Sequence, residues 1–293
     1  MEFIQKEEIY KGWSGDKKYH VVSMEGTHYL LRVADITQLD KKQAEFHIMQ
    51  KLAALGVPMC KALDFGVSQE GVYALQSWID GIDAEECIPK LTQSEQYSYG
   101  CEAGRILKMI HSISAPQDRE GWEDYFNRKI NRKIQKYQQC PIKYENGQAF
   151  LNYIHQNRHL LKNRPQTLQH GDYHIGNFMI GNDKQLYVID FNRFDYGDPW
   201  EEFNRIVWCV QKSPLFASGM VNAYFDNKVP LAFWHLLALY IASNTLSSVS
   251  WAVPFGQKQI DIMLQQAKEV LLWYDNMQNP IPTWYVENNA NEM

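Results

Sequence analysis

The sequence predicts an α+β fold, with a small β-rich amino-terminal region followed by a larger, mainly helical region. Two observations support this prediction. Runs of β-forming residues separated by short turns dominate residues 1–78, and helical periodicity dominates the rest of the 293-residue chain. The composition, 45% hydrophobic and 22% charged residues, is typical of a globular protein and excludes a disordered or fibrous chain.

The amino-terminal region is predicted to contain strands and one helix. A turn at Gly26 joins the first two strands, and the helix is expected to start at Asp40, with Gln43 completing a capping box. Gly56 should end this helix, because glycine favours the conformation that follows a helix. Three runs have strand composition: residues 19–23, 28–33 and 71–78.

The following region is predicted to be helical. Thr92 and Glu95 form a capping box at the start of one helix. The highly charged segment 118–137 should form an exposed helix, and the tail after Asn279, rich in proline and asparagine, is expected to be loose. Two late helices are expected, at residues 231–249 and 259–274.

Charge, cysteine count and hydropathy predict the cellular setting. A net charge of −5 gives no basic footprint for nucleic acid or an anionic membrane. Five scattered cysteines are typical of reduced thiols, and the acidic amino terminus does not resemble a signal peptide. The most apolar stretch, residues 229–242, is too short to span a bilayer. We therefore expect a cytoplasmic monomer or homodimer that binds neither nucleic acid nor membrane.

The segment 168–199 contains the residues with the clearest chemical potential. His170-Gly171-Asp172 is followed five residues after the aspartate by Asn177, and a short strand then ends at Asp190. A carboxylate such as Asp172 can orient a hydroxyl group and accept its proton during phosphoryl transfer. Asn177 and Asp190 offer the oxygen ligands that Mg²⁺ prefers, while phosphate and water oxygens complete its coordination.

A second pair of residues, in the amino-terminal region, fits the same chemistry. Arg32 ends a predicted strand, and Glu45 shares an apolar helix face with Met49 and Leu52. A carboxylate on an apolar face is costly to bury unless a cation pairs with it, and Arg32 is the natural partner. The pair would supply a cation for nucleotide phosphates and a carboxylate that holds it.

The motifs HGDYHIGN and VIDF resemble the catalytic-loop and metal-binding motifs of the aminoglycoside phosphotransferase family. This resemblance implies a protein-kinase-like fold of two lobes, a nucleotide-binding lobe at 1–78 and a catalytic, acceptor-binding lobe at 79–293. It implies ATP and Mg²⁺ as cofactors, and a His170 that braces the catalytic loop by hydrogen bonding. Gly171 stands where protein kinases usually carry arginine, and Arg32 where the family more often carries lysine.

The same resemblance suggests further nucleotide contacts. Gly12, Ser14 and Gly15 lie where a flexible loop would cover the phosphates, although glycines there also suit a simple turn. Ser77 and Ile79 occupy the position of the family's hinge, so the Ser77 carbonyl and the Ile79 amide are candidate contacts for adenine.

The acceptor is the least determined part of the predicted reaction. Asp195, Glu201 and Glu202 could form an acidic rim that attracts a cationic aminoglycoside, or they could be ordinary first-turn acids of a helix. Choline, homoserine and sugar derivatives are alternative hydroxyl acceptors on this scaffold. A non-catalytic nucleotide-binding regulator is a second alternative, against which the intact Asp172, Asn177 and Asp190 argue.

Overall fold

The computed structural model describes residues 2–10 and 15–287 of the chain. These residues form two compact units, which we call unit 1 and unit 2. Unit 1 runs to Cys87 and also contains His170–Asp172 and Gly176–Phe194. Unit 2 contains Ile88–Gln169, Tyr173–Ile175 and the chain from Asp195 onward. The assignment of residues 1–78 to nucleotide binding and of residues 79–293 to catalysis and acceptor binding stays a prediction.

Unit 1 is built on a five-stranded antiparallel sheet with the strand order β1-β2-β3-β5-β4. Val21, Leu31, Val33 and Leu75 form a buried cluster within it. Helix α1 (Leu39–Ala54) connects the third and fourth strands. The strands are β1 (Phe3–Glu8), β2 (Lys17–Ser23), β3 (His28–Ala34), β4 (Ala62–Ser68) and β5 (Gly71–Ser77).

A second sheet brings the segment with the HGD motif into unit 1. It has the order β6-β8-β9, with strands β6 (Gly81–Asp83), β8 (Phe178–Gly181) and β9 (Leu186–Val188). The short helix α2 (Ala84–Cys87) packs on β8. Because β6 pairs with β8 through Ile82 and Ile180, a segment distant in sequence becomes part of the same unit as the first sheet.

Unit 2 is mainly helical and contains one small sheet, β7 (Thr167–Gln169) paired with β10 (Asp195–Gly197). Two of its helices pack through glycine, since a Cβ atom at Gly100 would lie 2.1 Å from the Phe216 carbonyl oxygen. The helices are α3 (Gln93–Ile110), α4 (Trp122–Gln139), α5 (Gly147–Asn157), α6 (Ile206–Lys212), α7 (Pro214–Tyr224), α8 (Leu231–Ala252) and α9 (Gln257–Trp273).

The two predicted capping boxes have different outcomes. The box of Thr92 and Glu95 is confirmed at the start of α3. The predicted start at Asp40 is wrong, because a 3₁₀ turn continues directly into α1 at Leu39 and Asp35 caps that turn instead. The predicted end of α1 is confirmed, with Gly56 at φ +82°.

Two segments expected to be exposed or loose are packed. Helix α4 has a buried stripe of aromatic and aliphatic residues at intervals of three or four, which the surrounding charges conceal in the sequence. After Asn279, Trp284 is buried and the Val286 amide donates to Ser218 Oγ at 3.0 Å, so the prediction of a loose tail is wrong as far as Val286. Aromatic residues in the tail fix it against Trp234.

The longest apolar helix exceeds the predicted length. Leu231–Phe255 is long and apolar enough to cross a membrane by length and composition alone. However, 67% of its most apolar window is buried within the protein, which is typical of a core helix.

Candidate active site

Arg32 is the centre of a buried ion cluster in unit 1. Its Nη2 lies 2.9 Å from Asp16 Oδ2, and its Nη1 lies 3.0 Å from Asp190 Oδ1. The predicted contact with Glu45 is present but longer, at 3.9 Å between Nη1 and Oε1. Because Arg32 is only 6% exposed, these carboxylates replace the water that would otherwise solvate its charge.

Sequence reasoning missed Lys42, which completes this cluster. Lys42 Nζ lies 2.6 Å from Asp16 Oδ2 and 3.0 Å from Glu45 Oε2. The signal was available, since Lys42 precedes Glu45 by three residues on one helix face. We call Asp16, Arg32, Lys42, Glu45 and Asp190 the Arg32 cluster.

The pKa shifts of Asp16 and Arg32 favour the charged forms of both groups. Burial alone would raise the pKa of Asp16, but Arg32 and Lys42 outweigh burial and lower it. Burial alone would lower the pKa of Arg32, but Asp190 and Glu45 reverse that effect and raise it. The cluster is therefore a set of charges that stabilise one another.

The HGD motif forms a braced loop. His170 is completely buried, and its Nδ1 accepts a hydrogen bond from the Asp172 amide at 3.3 Å. Its Nε2 must then carry the proton, which it donates to the Ile189 carbonyl at 2.9 Å. Asn177 Nδ2 donates to the Asp172 carbonyl at 2.7 Å. His170 thus has the bracing geometry expected of it, and the loop backbone is held from both sides.

Gly171 is required by two features of the loop. Its φ of +84° is unfavourable for other residues, and an added Cβ atom would lie 1.9 Å from the Arg193 carbonyl oxygen. The side chain of Arg193 approaches the predicted catalytic carboxylate, with Nη1 3.4 Å from Asp172 Oδ2. Sequence reasoning missed Arg193, because nothing in the local pattern indicates this return toward Asp172.

Asn177 and Asp190 fit a magnesium ion as two of its ligands. The amide nitrogen of Asn177 is engaged by the Asp172 carbonyl, so its side-chain oxygen is the atom that could bind a cation. Within residues 2–10 and 15–287, no group of three or more His, Cys, Asp or Glu side chains could hold a metal. Two protein oxygens supplemented by phosphate and water suit Mg²⁺ better than a metal that requires a complete protein cage.

A cavity of about 270 Å³ lies within unit 1, and its lining includes Asn177 and two members of the Arg32 cluster. Arg32, Asn177 and Asp190 line its polar part, and Ser77 and Ile79 line it at the predicted hinge. Its apolar lining includes Leu30, Met49, Met59, Met179, Val188, Ile189 and Phe191. A mainly apolar cavity with a few polar groups is typical of a small-molecule or cofactor site.

The predicted phosphate loop is only partly described. Gly12 and Ser14 lie outside the described residues, and Gly15 is exposed with open space where a Cβ would project. Sequence reasoning did not select Lys18, which also lines the cavity. Burial lowers the pKa of Lys18, although the nearby Asp190 opposes this shift.

The three predicted acceptor residues belong to unit 2, where each already has partners. Asp195 is paired with Arg119 at 3.2 Å on the surface. Glu201 is largely buried beside Lys129. Glu202 is 2% exposed and accepts a hydrogen bond from the Tyr173 amide. The acceptor role of all three stays a prediction, and the burial of Glu202 favours support of the loop instead.

The comparisons with known proteins agree with the geometry of the site. The order of the loop aspartate, the asparagine and the strand-end aspartate, with a buried cation on a strand, is typical of phosphoryl-transfer enzymes of the protein-kinase-like class. The chain belongs to the phosphotransferase enzyme family, whose family model matches residues 7–234. It is a small-molecule phosphotransferase, so the alternative of a non-catalytic regulator is not supported.

Solved structures with the same fold carry the names of several different small-molecule kinases. A thermostable mutant of aminoglycoside phosphotransferase APH(4)-Ia, in complex with AMP-PNP and hygromycin B, matches with 16% identity and a TM-score of 0.68, covering 92% of this chain and 94% of that one. A choline/ethanolamine kinase family protein from Mesorhizobium loti matches with 14% identity and a TM-score of 0.67, over 94% and 91% of the two chains.

A putative fructosamine-3-kinase from Haemophilus somnus matches with 14% identity and a TM-score of 0.64, covering 92% of each chain. No protein in the search of curated proteins matches this sequence. At these identities the structural matches define the fold alone, which is the predicted α+β, protein-kinase-like fold. The acceptor therefore has to be argued from the site and tested.

Proposed function

We propose that this protein transfers the γ-phosphoryl group of ATP, with Mg²⁺, to a hydroxyl group of a small molecule, with an aminoglycoside as the first candidate acceptor. The observation that carries the proposal is the convergence of Arg32, Asn177 and Asp190 on one cavity of unit 1. ATP complexed with Mg²⁺ requires a cation for its phosphates and hard oxygen ligands for its metal, and these residues offer both.

In the proposed mechanism, Asp172 orients the acceptor hydroxyl and accepts its proton. His170 and Asn177 hold the loop backbone, so that the Asp172 carboxylate does not have to reorganise during the reaction. Arg32 contacts the nucleotide phosphates, and the other members of the Arg32 cluster fix its position. Bound Mg²⁺ would neutralise phosphate charge, with Asn177 and Asp190 as its protein ligands.

The remaining nucleotide contacts are proposed from position. Ser77 and Ile79 line the cavity, where their backbone groups could bind adenine. Gly15, with Gly12 and Ser14, is proposed to cover the phosphates. Location in the cytoplasm and a monomeric or homodimeric state are also proposals, and the free state of all five cysteines is compatible with a reducing compartment.

The acceptor proposal has a second candidate class. The fold is shared with an aminoglycoside kinase bound to hygromycin B, which supports an aminoglycoside. It is shared equally with a choline/ethanolamine kinase family protein and a putative fructosamine kinase, which supports a hydroxylated metabolite. Asp195 is the most exposed of the three predicted acceptor acids, with a side chain that is 52% exposed.

The experiment measures Mg²⁺-dependent ATP consumption against aminoglycosides, amino alcohols, hydroxy amino acids and sugar derivatives. A response to one aminoglycoside supports the first candidate, and a response only to a metabolite supports the second. Asp172→Asn should lower turnover by about 10²- to 10⁴-fold, because the proton acceptor is lost while the loop backbone is retained. Asp183→Asn, on an exposed turn of unit 1, is the matched control. Wild-type turnover in Asp172→Asn would contradict the mechanism.

A further inference from the structure

Another cavity, of about 350 Å³, lies within unit 2 between one face of α5 and the turn that follows α9. Gln148, Asn152 and Gln156 line it from α5, and because they are four residues apart they lie along the same side of that helix. The turn contributes Asn276 and Gln278. The nucleotide-binding residues proposed above belong to unit 1, so this cavity has no role in that proposal.

The lining of this cavity is rich in amide groups and carries no charge. Six of the nine described residues that line it are asparagine or glutamine, and the other three are Ala149, Tyr153 and Met277. An ionic ligand would therefore lose hydration here without gaining a counter-charge from the lining, which is costly. We call it the amide cavity, after its six amide side chains, Asn146, Gln148, Asn152, Gln156, Asn276 and Gln278.

Two hydrogen bonds between these amides orient the groups that remain available. Asn146 Nδ2 donates to Asn276 Oδ1 at 2.9 Å, and Gln148 Nε2 donates to Asn152 Oδ1 at 2.8 Å. Among the described residues, the carbonyl oxygens of Asn146 and Gln148 and the amino groups of Asn152 and Asn276 have no partner. All four side chains are exposed, so each amide pair offers one acceptor and one donor to a ligand.

The turn on the other side of the amide cavity is held in one backbone conformation. Asp275, Asn276 and Met277 have φ values of +47°, +51° and +67°, which are unfavourable for residues other than glycine. Met277 is buried, and the Asn276 backbone N–H donates to the Leu271 carbonyl at 2.7 Å. Because the backbone is already fixed, a ligand would have to order only the exposed side chains, which lowers the entropic cost of binding.

An apolar surface adjoins the amide cavity. A neighbouring cavity of about 340 Å³ shares Asn146 and Asn276 with it, and Leu264, Leu271 and Leu272 line the apolar part of this neighbour. Leu272 is 75% exposed, so a ligand held by the amides can also contact it. Polar groups with fixed positions beside an apolar wall are typical of a small-molecule site.

We propose that the amide cavity binds an uncharged, polyhydroxylated small molecule of the saccharide class. A hydroxyl group both donates and accepts a hydrogen bond, so adjacent hydroxyls can use the donor and the acceptor that each amide pair offers. The apolar C–H face of a sugar ring suits the leucine side chains of the neighbouring cavity. The site would bind a saccharide whichever molecule accepts the phosphoryl group in unit 1.

The test titrates glucose, maltose and sucrose into the full-length protein, with sodium acetate and choline chloride as charged references. Binding is followed through the NMR signals of the side-chain amides. We expect saturable shifts of the Asn146, Asn152 and Asn276 signals with at least one saccharide and with neither charged reference. No saturable shift with any of the three saccharides would overturn the proposal, and so would equally tight binding of a charged reference.

Two variants assign the binding to this cavity. Asn152→Leu should weaken binding by about fivefold to tenfold, the effect of one lost hydrogen bond. Asn276→Asp keeps the acceptor for Asn146 but removes the available donor, and should have a similar effect. Gln43→Leu, an exposed change on α1 of unit 1, is the control and should bind like the wild-type protein.

Equal saccharide binding by all three variants would show that the amide cavity is not the site. If a variant of the cavity does not fold, the side-chain amide signals of the wild-type protein decide the question. None of these measurements uses ATP turnover, so failure of the proposed function would be recognised separately.

Discussion

The Arg32 cluster of unit 1 and a group of charged residues in unit 2 contain the same kinds of side chain but differ in charge balance. We call the second group, Lys129, Lys133 and Glu201, the Lys133 cluster. In the Arg32 cluster, three carboxylates face Arg32 and Lys42, with Lys18 half-buried nearby. In the Lys133 cluster, the Glu201 carboxylate pairs with Lys129 at 3.2 Å, and no carboxylate of the described residues lies within 4.0 Å of the Lys133 ammonium group. The first arrangement surrounds its cations with carboxylates, whereas the second leaves Lys133 without a paired carboxylate among the described residues.

The pKa values show what this difference means physically. Where carboxylates are sufficient, ionisation is reinforced, as the lowered pKa of Asp16 and the raised pKa of Arg32 show. Where they are too few, one cation approaches neutrality, as Lys133 does with a pKa of about 7. In both clusters burial favours the neutral form of each group, so the number of counter-charges decides whether the group stays ionised.

The largest expected effect comes from breaking the balanced cluster. Arg32→Met should lower the free energy of unfolding by about 3–5 kcal/mol, because it removes a cation from the buried Asp16 and from the partly buried Asp190. The measurement is the urea-unfolding transition of the two proteins. Lys6→Met is the control, since Lys6 and Glu70 form an exposed pair and its loss should cost less than about 1 kcal/mol. Equal losses would contradict the comparison.

A smaller loss is expected from Glu201→Gln in the Lys133 cluster. Replacing the carboxylate weakens its charged hydrogen bond with Lys129, which is worth about 1.5–3 kcal/mol, and removes the negative charge that stabilises the charged form of Lys133. The pKa of Lys133 should also fall below about 7. Urea unfolding and NMR titration check these results, with Asp124→Asn on the exposed start of α4 as control. An unchanged pKa of Lys133 would show that Glu201 does not act on it.

The smallest effect is a change in pH dependence rather than in fold. The pKa of Lys133 is about 7 in the folded protein and about 10.4 in an unfolded chain. Between these values the unfolded chain binds more protons, so this residue makes stability rise with pH. Its contribution is complete above about pH 10.4 and is lost as the pH falls through about 7.

Lys133→Met should therefore show a smaller gain in unfolding free energy between pH 7 and pH 10 than the wild-type protein. The comparison of the two proteins cancels other titrating groups, and unfolding in urea at several pH values measures it. Parallel stability curves would contradict the lowered pKa of Lys133. Lys136→Met, an exposed change on α4, should leave the curve unaltered.

Local patterns predicted much of the fold. The turn at Gly26, the capping box of Thr92 and the end of α1 depend on residues close in sequence, and these predictions were confirmed. The start of α1 was mispredicted because Asp35 caps the 3₁₀ turn that precedes the helix. Asp40 therefore lies inside α1 and does not cap it. The packed tail depends on Trp234 in a distant helix, which no local pattern indicates.

The part of the site that lies in one short segment was predictable from the sequence. The HGD motif and Asn177 are neighbours in sequence, and their hydrogen bonds follow from the loop. Ion pairs between residues distant in sequence were harder to predict. Arg32 pairs with Asp190, 158 residues away, and lies closer to Asp16 than to Glu45. The compensation of Glu201 by Lys129 depends on the packing of α4, so the sequence suggested only an acidic rim.

The most direct test of the account is calorimetric titration of ATP with and without Mg²⁺ into the wild-type protein, Asp172→Asn and Asp190→Asn. We predict that Mg²⁺ tightens ATP binding to the wild-type protein and to Asp172→Asn equally, since Asp172 acts on the acceptor. Asp190→Asn should lose most of this Mg²⁺ dependence, because Asp190 is the carboxylate proposed to bind the metal. ATP binding that is absent, or equally dependent on Mg²⁺ in all three proteins, would contradict the assignment of the unit 1 cavity as the nucleotide site.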